Sequence, residues 1–350
     1  MNLLYNAAIH IYAAGVRLAA VKHRKAALMI QGHRETLARI AEARCNIAPE
    51  GFDVWIHAAS LGEFEQARPL ISMIRRKLPN KRILLSFFSP SGYTVRHNYP
   101  DVDLVAYLPF DTPRNARRFV EAANPKIAIF VKYEFWGNML NCLTRHGTPT
   151  YLISAIFRPS QVFFKPWGGM MRRALRSFTH IYVQDEASKQ LLASIGYNAV
   201  DVVGDTRLDQ VIDTRAHARS FPLLESWTSD TAMTIVVGSS WPQDEAFYIP
   251  WLKRHPEVKA VIAPHEFDDK RLATLISSLG GPEVAVLWSQ VKDLASVPPQ
   301  VRYIIIDCFG ILSSLQVRAN SHSGRRLRRR YTQRARGGRI WYADYFRTAP

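Results

Sequence analysis

From residue 52 onward, short apolar runs alternate with longer amphipathic stretches. The runs lie at 54–58, 83–87, 104–107, 127–131, 150–153, 181–183 and 200–203, and segments such as 114–123 and 187–194 separate them. This is the sequence form of a doubly wound parallel sheet. Such sheets bind ligands beyond the carboxyl ends of their strands. The residues that follow each run are therefore the candidates for chemistry. A second series of runs begins at 234–237 and continues at 260–262 and 303–306. Residues 216–233, with Pro222, Ser226 and Ser229, read as the linker between two domains. Ahead of both domains, residues 1–20 are mostly apolar, interrupted by His10 and Arg17 and followed at once by Lys22, His23, Arg24 and Lys25. The length just suffices to cross a bilayer, but Arg17 makes a full crossing costly. Charges after the apolar run, not before it, do not fit a cleaved signal peptide. Residues 1–25 therefore read as a membrane-associated helix with its basic end at anionic headgroups; a core helix of the first domain has the same pattern.

The first strand end carries the densest candidate chemistry: His57-Ala58-Ala59-Ser60-Leu61-Gly62-Glu63-Phe64-Glu65. Ser60 and Gly62 are small, so the chain can turn sharply and a ligand can come close. Glu63 falls in the first turn of the following helix, where the dipole favours an ionised carboxylate. Such a group is suited to general-base work. Ser60 and Glu63 also have the spacing of a capping box, in which Glu63 would only complete the helix start. The residues by themselves leave both readings open.

Other strand ends add polar groups. Phe88-Ser89-Pro90-Ser91-Gly92-Tyr93 is a Ser/Pro/Gly turn, and Lys132-Tyr133-Glu134-Phe135-Trp136-Gly137-Asn138 places Glu134 after the fourth run. Ser154-Ala155-Ile156-Phe157-Arg158 leads into a stretch in which Arg158 and Lys165 stand among Phe157, Phe163, Phe164 and Trp167. A basic-aromatic patch of that kind suits lipid phosphates and acyl chains. In the second domain Gly238-Ser239 precedes an acid-rich helix start, whose backbone N–H groups are suited to a phosphate. Pro264-His265 ends the next strand, and Asp307-Cys308-Phe309-Gly310-Ile311-Leu312 follows the last one.

Taken together these segments resemble the bacterial Kdo transferases, which move 3-deoxy-D-manno-octulosonic acid (Kdo) from CMP-Kdo to the lipid A precursor. Residues 57–63 are similar to the family's HA-S-GE motif, 132–138 to E-x-E-x-W-P-N, 238–245 to G-S followed by an acidic pair, 264–265 to the start of P-R-H, and 307–312 to D-x-x-G-x-L. Lys132 stands where the family has an acid, Gly137 where it has proline, and His265 where it has arginine. The resemblance implies a fold of two Rossmann-like α/β domains facing a cleft, the GT-B type of glycosyltransferase. It implies Glu63 as the base that takes a proton from the acceptor hydroxyl. Ser60, Gly62 and Glu134 would bind substrate in the cleft. Gly238, Ser239, Pro264, His265, Gly310, Ile311 and Leu312 would meet the donor, and Arg158 and Lys165 the acceptor or the membrane. The partners implied are CMP-Kdo, the lipid A precursor and the cytoplasmic face of the bacterial inner membrane. No cofactor or metal is expected: the one D-x-D pair, Asp101-Val102-Asp103, precedes a strand instead of following it.

Composition adjusts this picture in two places. Cys45, Cys142 and Cys308 are scattered without metal or redox spacing and suit a reducing compartment. The net charge of +17 invites a nucleic-acid reading, but residues 316–350 hold ten arginines against one aspartate and supply +9 of it. That tail has no apolar period. It coincides with a shifted reading of the family's next motif. The family's Gly-Gly-Gly-Phe-Gly-Ala-Gly-Ile-His-Asn, written in GC-rich codons and read from the third base of the first codon, gives residues 325–334 one for one. The same shift turns Glu-Ala-Ala-Val-Tyr-Gly-Met-Pro-Ile-Ile-Phe-Gly-Pro into residues 336–348. The expectation is a frame slip near Leu315. The layout is then a first domain at 26–215, an incomplete second domain at 234–315, and an aberrant, unstructured tail at 316–350 that binds no nucleic acid. A UDP-sugar transferase of the same build and a nucleic-acid binder using the arginine tail are the alternatives.

Overall fold

A computed structural model describes residues 3–206, 220–229, 231, 233–308 and 310–311, and the backbone of 345–346. The chain divides into two compact units, Met1–Gln210 and Val211–Pro350.

The first unit is built on seven parallel strands: β1 (Val54–His57), β2 (Ile83–Phe87), β3 (Leu104–Tyr107), β4 (Ile127–Val131), β5 (Thr150–Ala155), β6 (His180–Val183) and β7 (Val200–Val202). Their order is β3-β2-β1-β4-β5-β6-β7. The chain thus winds outward in one direction from β1 and in the other from β4, which makes the β1/β4 boundary the switch point of the sheet. All four residues of β1 are buried, because helices cover both faces. Val54 and Ile56 pack on one side with Phe64, Ile71 and Leu85. Trp55 points to the other side, into a core with Phe119, Phe130 and Leu140. Alternation along β1 places His57 on the Trp55 side.

Helices α1 (Leu3–Ala19) and α2 (Arg24–Asn46) precede the sheet, α3 (Leu61–Lys77) and α4 (Pro90–Arg96) follow β1 and β2, and α5 (Pro113–Ala123) and α6 (Gly137–His146) follow β3 and β4. No single helix among the described residues is long and apolar enough to cross a membrane; α1 and α2 pass that test only together and are bent by 120°. Helix α1 belongs to the first unit. Ala13 is buried, and Ile9 and Val16 pack with Met29 and Phe110. Its other side exposes Leu3, Ile11 and Leu18.

The second unit has parallel strands β8 (Met233–Ser240), β9 (Val258–Pro264), β10 (Ala285–Leu287) and β11 (Tyr303–Ile305) in the order β10-β11-β9-β8. The stretch expected to be a linker contains a helix, Pro222–Thr228. Leu224 and Trp227 are buried in the second unit's core, and Trp227 Nε1 donates to the Val301 carbonyl at 3.1 Å. Pro222 is a helix-start residue here, since its missing N–H would be unpaired in the first turn anyway. The tail, expected to be unstructured, lies outside the described residues except at Tyr345–Phe346, which pair antiparallel with Ile235 and Thr234 on the outer edge of β8. That edge offers unpaired backbone groups to any extended segment.

Candidate functional site

The switch point gathers the residues that the first unit contributes. The loop after β1 carries Ser60 and Glu63, and the loop after β4 carries Lys132 and Glu134. Ser60 stands at the N-cap of α3 with extended backbone, yet its side chain accepts no backbone N–H. Its hydroxyl donates to Glu63 Oε2 instead. The reciprocal capping box that the spacing allowed is therefore not formed; Ser60 holds the carboxylate itself. Both residues are half-buried, and Gly62 between them is exposed. A Cβ on Gly62 would meet only Ser60 Oγ, at 3.8 Å. Nothing inside the fold requires glycine there, so its smallness leaves room for something outside.

Glu134 is held from two sides. Trp136 Nε1 donates to Glu134 Oε2 at 2.5 Å, and His57 Nε2 lies 3.3 Å from the same oxygen. His57 is fully buried, and so is Ser86 on the neighbouring strand. Ser86 Oγ accepts from Trp55 Nε1 at 2.8 Å and lies 2.9 Å from His57 Nδ1. Nδ1 also lies 3.2 Å from the Ser86 carbonyl. On the other side an ionised carboxylate can only accept, so it is a ring hydrogen on Nε2 that makes the contact with Glu134 a hydrogen bond. The buried row Trp55–Ser86–His57 thus ends in a donor aimed at Glu134, whose side chain is 13% exposed. His57 is the member of this arrangement that sequence reasoning passed over as part of a motif. No hydrogen bond joins Glu63 to Glu134 among the described residues.

The neighbouring loops are tied to this arrangement. Phe88 N and Ser89 N both donate to the Ala59 carbonyl, at 3.2 and 2.7 Å, so the loop after β2 lies on the β1 motif. The first turn of α6 is satisfied by a buried carboxylate, Asp111, which accepts from Asn138 N and Met139 N at 2.8 Å each. Asp111 also accepts from the Tyr5 hydroxyl at 2.6 Å. Burial outweighs these donors and raises its pKa to about 6.

Backbone strain marks the same end of both sheets. Four non-glycine residues among those described have positive φ, and three stand at strand ends: Lys132 (φ 69), Ser154 (φ 55) and Ser239 (φ 55). Left-handed backbone costs a side-chain-bearing residue about 1–2 kcal/mol and concentrates at functional positions.

Arg158 is exposed and Lys165 half-buried. Of the aromatics around them, Phe157 and Phe163 are core residues, with Phe163 4.7 Å from Phe135. Trp167, 75% exposed, is the member that faces solvent. The patch is therefore narrower than the sequence suggests.

In the second unit, Ser239, His265 and Gly310 follow or end three adjacent strands, β8, β9 and β11. His265 is exposed and stacks on Trp241, ring centroids 4.1 Å apart. Pro264 is buried and pairs in register with Ser240, and Gly310 has φ +91. Ile311 packs against the core; Leu312 lies outside the described residues. Below Ser240, its hydroxyl donates to Glu245 at 3.1 Å, and the largely buried Glu245 pairs with Arg271. The helix after β8, Pro242–Arg254, opens with a proline, and Asp244 accepts the Trp241 N–H at 3.0 Å. A phosphate at this helix start would compete with that carboxylate. Before it in the turn, Ser239 is exposed and Gly238 is buried.

Two Rossmann-like units of parallel strands give the chain a fold of the GT-B type. A family model described as 3-Deoxy-D-manno-octulosonic-acid transferase (kdotransferase) matches residues 21–210, and the chain belongs to that family. It is 31% identical over 170 residues to the 3-deoxy-D-manno-octulosonic acid transferase of Bordetella pertussis, covering 46% of this chain and 39% of that protein. With the protein of the same name from Chlamydia trachomatis it shares 25% over 276 residues, 76% of this chain and 62% of the relative. The chain thus spans about half the length of the curated relatives it matches. In fold it is similar to a putative UDP-N-acetylglucosamine 2-epimerase from Listeria monocytogenes, with a TM-score of 0.52 at 12% identity over 78% of this chain and 73% of that one. The UDP-GlcNAc 2-epimerase of Neisseria meningitidis gives a TM-score of 0.51 at 13% identity, over 77% and 75%.

Proposed function

We propose that this chain carries the acceptor half of a transferase that moves Kdo from CMP-Kdo to the lipid A precursor. The observation that carries the reading is the Ser60–Glu63 pair at the switch point of the family-matched unit. Glu63 takes the proton from an acceptor hydroxyl. The freed oxygen attacks the anomeric carbon of Kdo, the bond from that carbon to the phosphate oxygen breaks, and CMP leaves with the electron pair. Ser60 keeps the Glu63 carboxylate in place, and the open space above Gly62 admits the sugar. Glu134 accepts a hydrogen bond from a second acceptor hydroxyl. The strand ends at Ser239, His265 and Gly310 receive CMP, and the reaction draws on no cofactor.

The exposed face of α1 and the basic residues Lys22, Arg24 and Lys25 fit the cytoplasmic side of the inner membrane, with Trp167, Arg158 and Lys165 as further contacts. Residues 316–350 are an out-of-frame reading of the next donor-binding segment, so these residues do not supply the groups that segment would give to CMP. The test has two arms. Reading the DNA across codons 310–320 should show the family's His-Asn segment one base away; an intact frame with no such product would remove the tail reading. Transfer from CMP-Kdo to a tetraacylated lipid A precursor should be seen when the frame is restored, with CMP and not UDP competing. UDP competition, or no transfer by the restored chain, would overturn the substrate assignment.

A further inference from the structure

Helix α1 touches both loops that flank the switch point, by two separate routes. The first is polar. The Tyr5 hydroxyl donates to Asp111 and accepts from Gly137 N at 3.2 Å, and Asn6 Oδ1 accepts from Asn138 Nδ2 at 2.8 Å. The first turn of α6 is thus hung from α1, and the residue before that turn is Trp136. The second route is aromatic. Tyr12 stacks on Phe88 at 6.4 Å, and Phe88 packs on Trp136 at 4.6 Å. Trp136 donates to Glu134, while the backbone of Phe88 lies on Ala59.

Tyr5 and Tyr12 are one heptad apart and share a face of α1. Leu4, Ile11 and Leu18 have the same spacing on the exposed face. Tyr12, 48% exposed, sits at the border between the two. The charges that follow, Lys22, Arg24 and Lys25, are the complement of anionic headgroups. One helix therefore has lipid-suited side chains outward and crevice-supporting ones inward.

We propose that Tyr5 and Tyr12 are positioning residues of the crevice: they set Trp136, and through it Glu134, so that seating of α1 on an anionic lipid surface orders the 132–138 loop. This rests on the membrane placement proposed above, and the closing experiment separates the two. Hydrogen–deuterium exchange is measured on the full chain, with and without vesicles of phosphatidylethanolamine and phosphatidylglycerol. The chains are the wild type, Tyr12→Ala, Tyr12→Phe and Tyr5→Phe. Loss of the Tyr12 ring contacts with Phe88 and Phe110, or of the two hydrogen bonds of the Tyr5 hydroxyl, is expected to speed exchange at 86–90 and 132–138 by about fivefold in Tyr12→Ala and Tyr5→Phe, and to leave 180–202 unchanged. Tyr12→Phe keeps the stack and behaves as wild type. Vesicles slow exchange at 132–138 in the wild type; the two impaired variants still sediment with vesicles but lose that protection. Wild-type exchange in both impaired variants overturns the proposal, as does a uniform rise across the first unit in both. Vesicle binding that leaves 132–138 of the wild type unchanged also overturns it. Failure to sediment with vesicles removes the membrane placement, and the variant arm still decides the positioning role.

Discussion

His57 and Glu134 meet across the β1/β4 boundary, Nε2 to Oε2 at 3.3 Å, although 77 residues separate them in the chain. The contact joins the two loops of the switch point and is supported from behind by Ser86 and Trp55. A buried polar row of this kind is stabilising only while every member is satisfied.

His57→Ala should therefore lower stability by about 1–3 kcal/mol, since Ser86 and Glu134 lose a partner in a buried setting. His57→Gln, which can still donate to Glu134, should recover most of that. Urea unfolding of the two variants against wild type checks the difference, and equal losses would remove the hydrogen-bonding role of His57.

His33 should make the protein acid-sensitive. Both of its ring nitrogens are buried without a partner, its ring lies 4.6 Å from that of Phe110, and burial with help from Arg17 lowers its pKa to about 4. The folded state then binds fewer protons than the unfolded one between about pH 4 and 6.5, so stability falls as the pH drops through that window. The loss should total about 3 kcal/mol. His33→Phe should abolish it, seen as a Tm difference between variant and wild type that shifts in the variant's favour as the pH drops from 7 to 5.

Asp111 should act in the opposite sense. Its folded pKa is raised to about 6, so between about pH 4 and 6 the folded state binds more protons than the unfolded one. Stability from this group falls as the pH rises through that window, by about 3 kcal/mol. Relative to Asp111→Asn, the wild type should gain about 3 kcal/mol of stability from pH 6 to pH 4. A constant difference across that range would show that Asp111 does not titrate there.

Lys132 carries a side chain at φ 69. Glycine has no Cβ penalty in this conformation, so Lys132→Gly should be no less stable than wild type, and up to about 1 kcal/mol more stable. Denaturant midpoints for Lys132→Gly and Lys132→Ala give the comparison; a Gly variant less stable than the Ala variant would show that the backbone there is not strained.

Much of the first unit was legible in the sequence, and the reasons are local. Each strand there is a compact apolar run closed by a turn, so the strand ends, and with them Ser60, Glu63 and Glu134, could be located. The role of His57 could not, because its partner is defined by strand order. The helix Pro222–Thr228 was hidden by its own punctuation: Pro222 and Ser226 read as linker residues, while Leu224 and Trp227, three apart, are what seat it in the core. Strand β10 has only three residues, Ala285–Leu287, too short to stand out by periodicity. The pairing of Ser60 with Glu63 was written in the spacing, but its form as a side-chain contact in place of a backbone cap needed coordinates.

The most direct test lies at Glu63. With the frame restored beyond residue 315, Glu63→Gln should lower Kdo transfer by at least about 10²-fold, the share of a general base, while CMP still binds as in the parent chain. Transfer at the parental rate by Glu63→Gln would contradict the account.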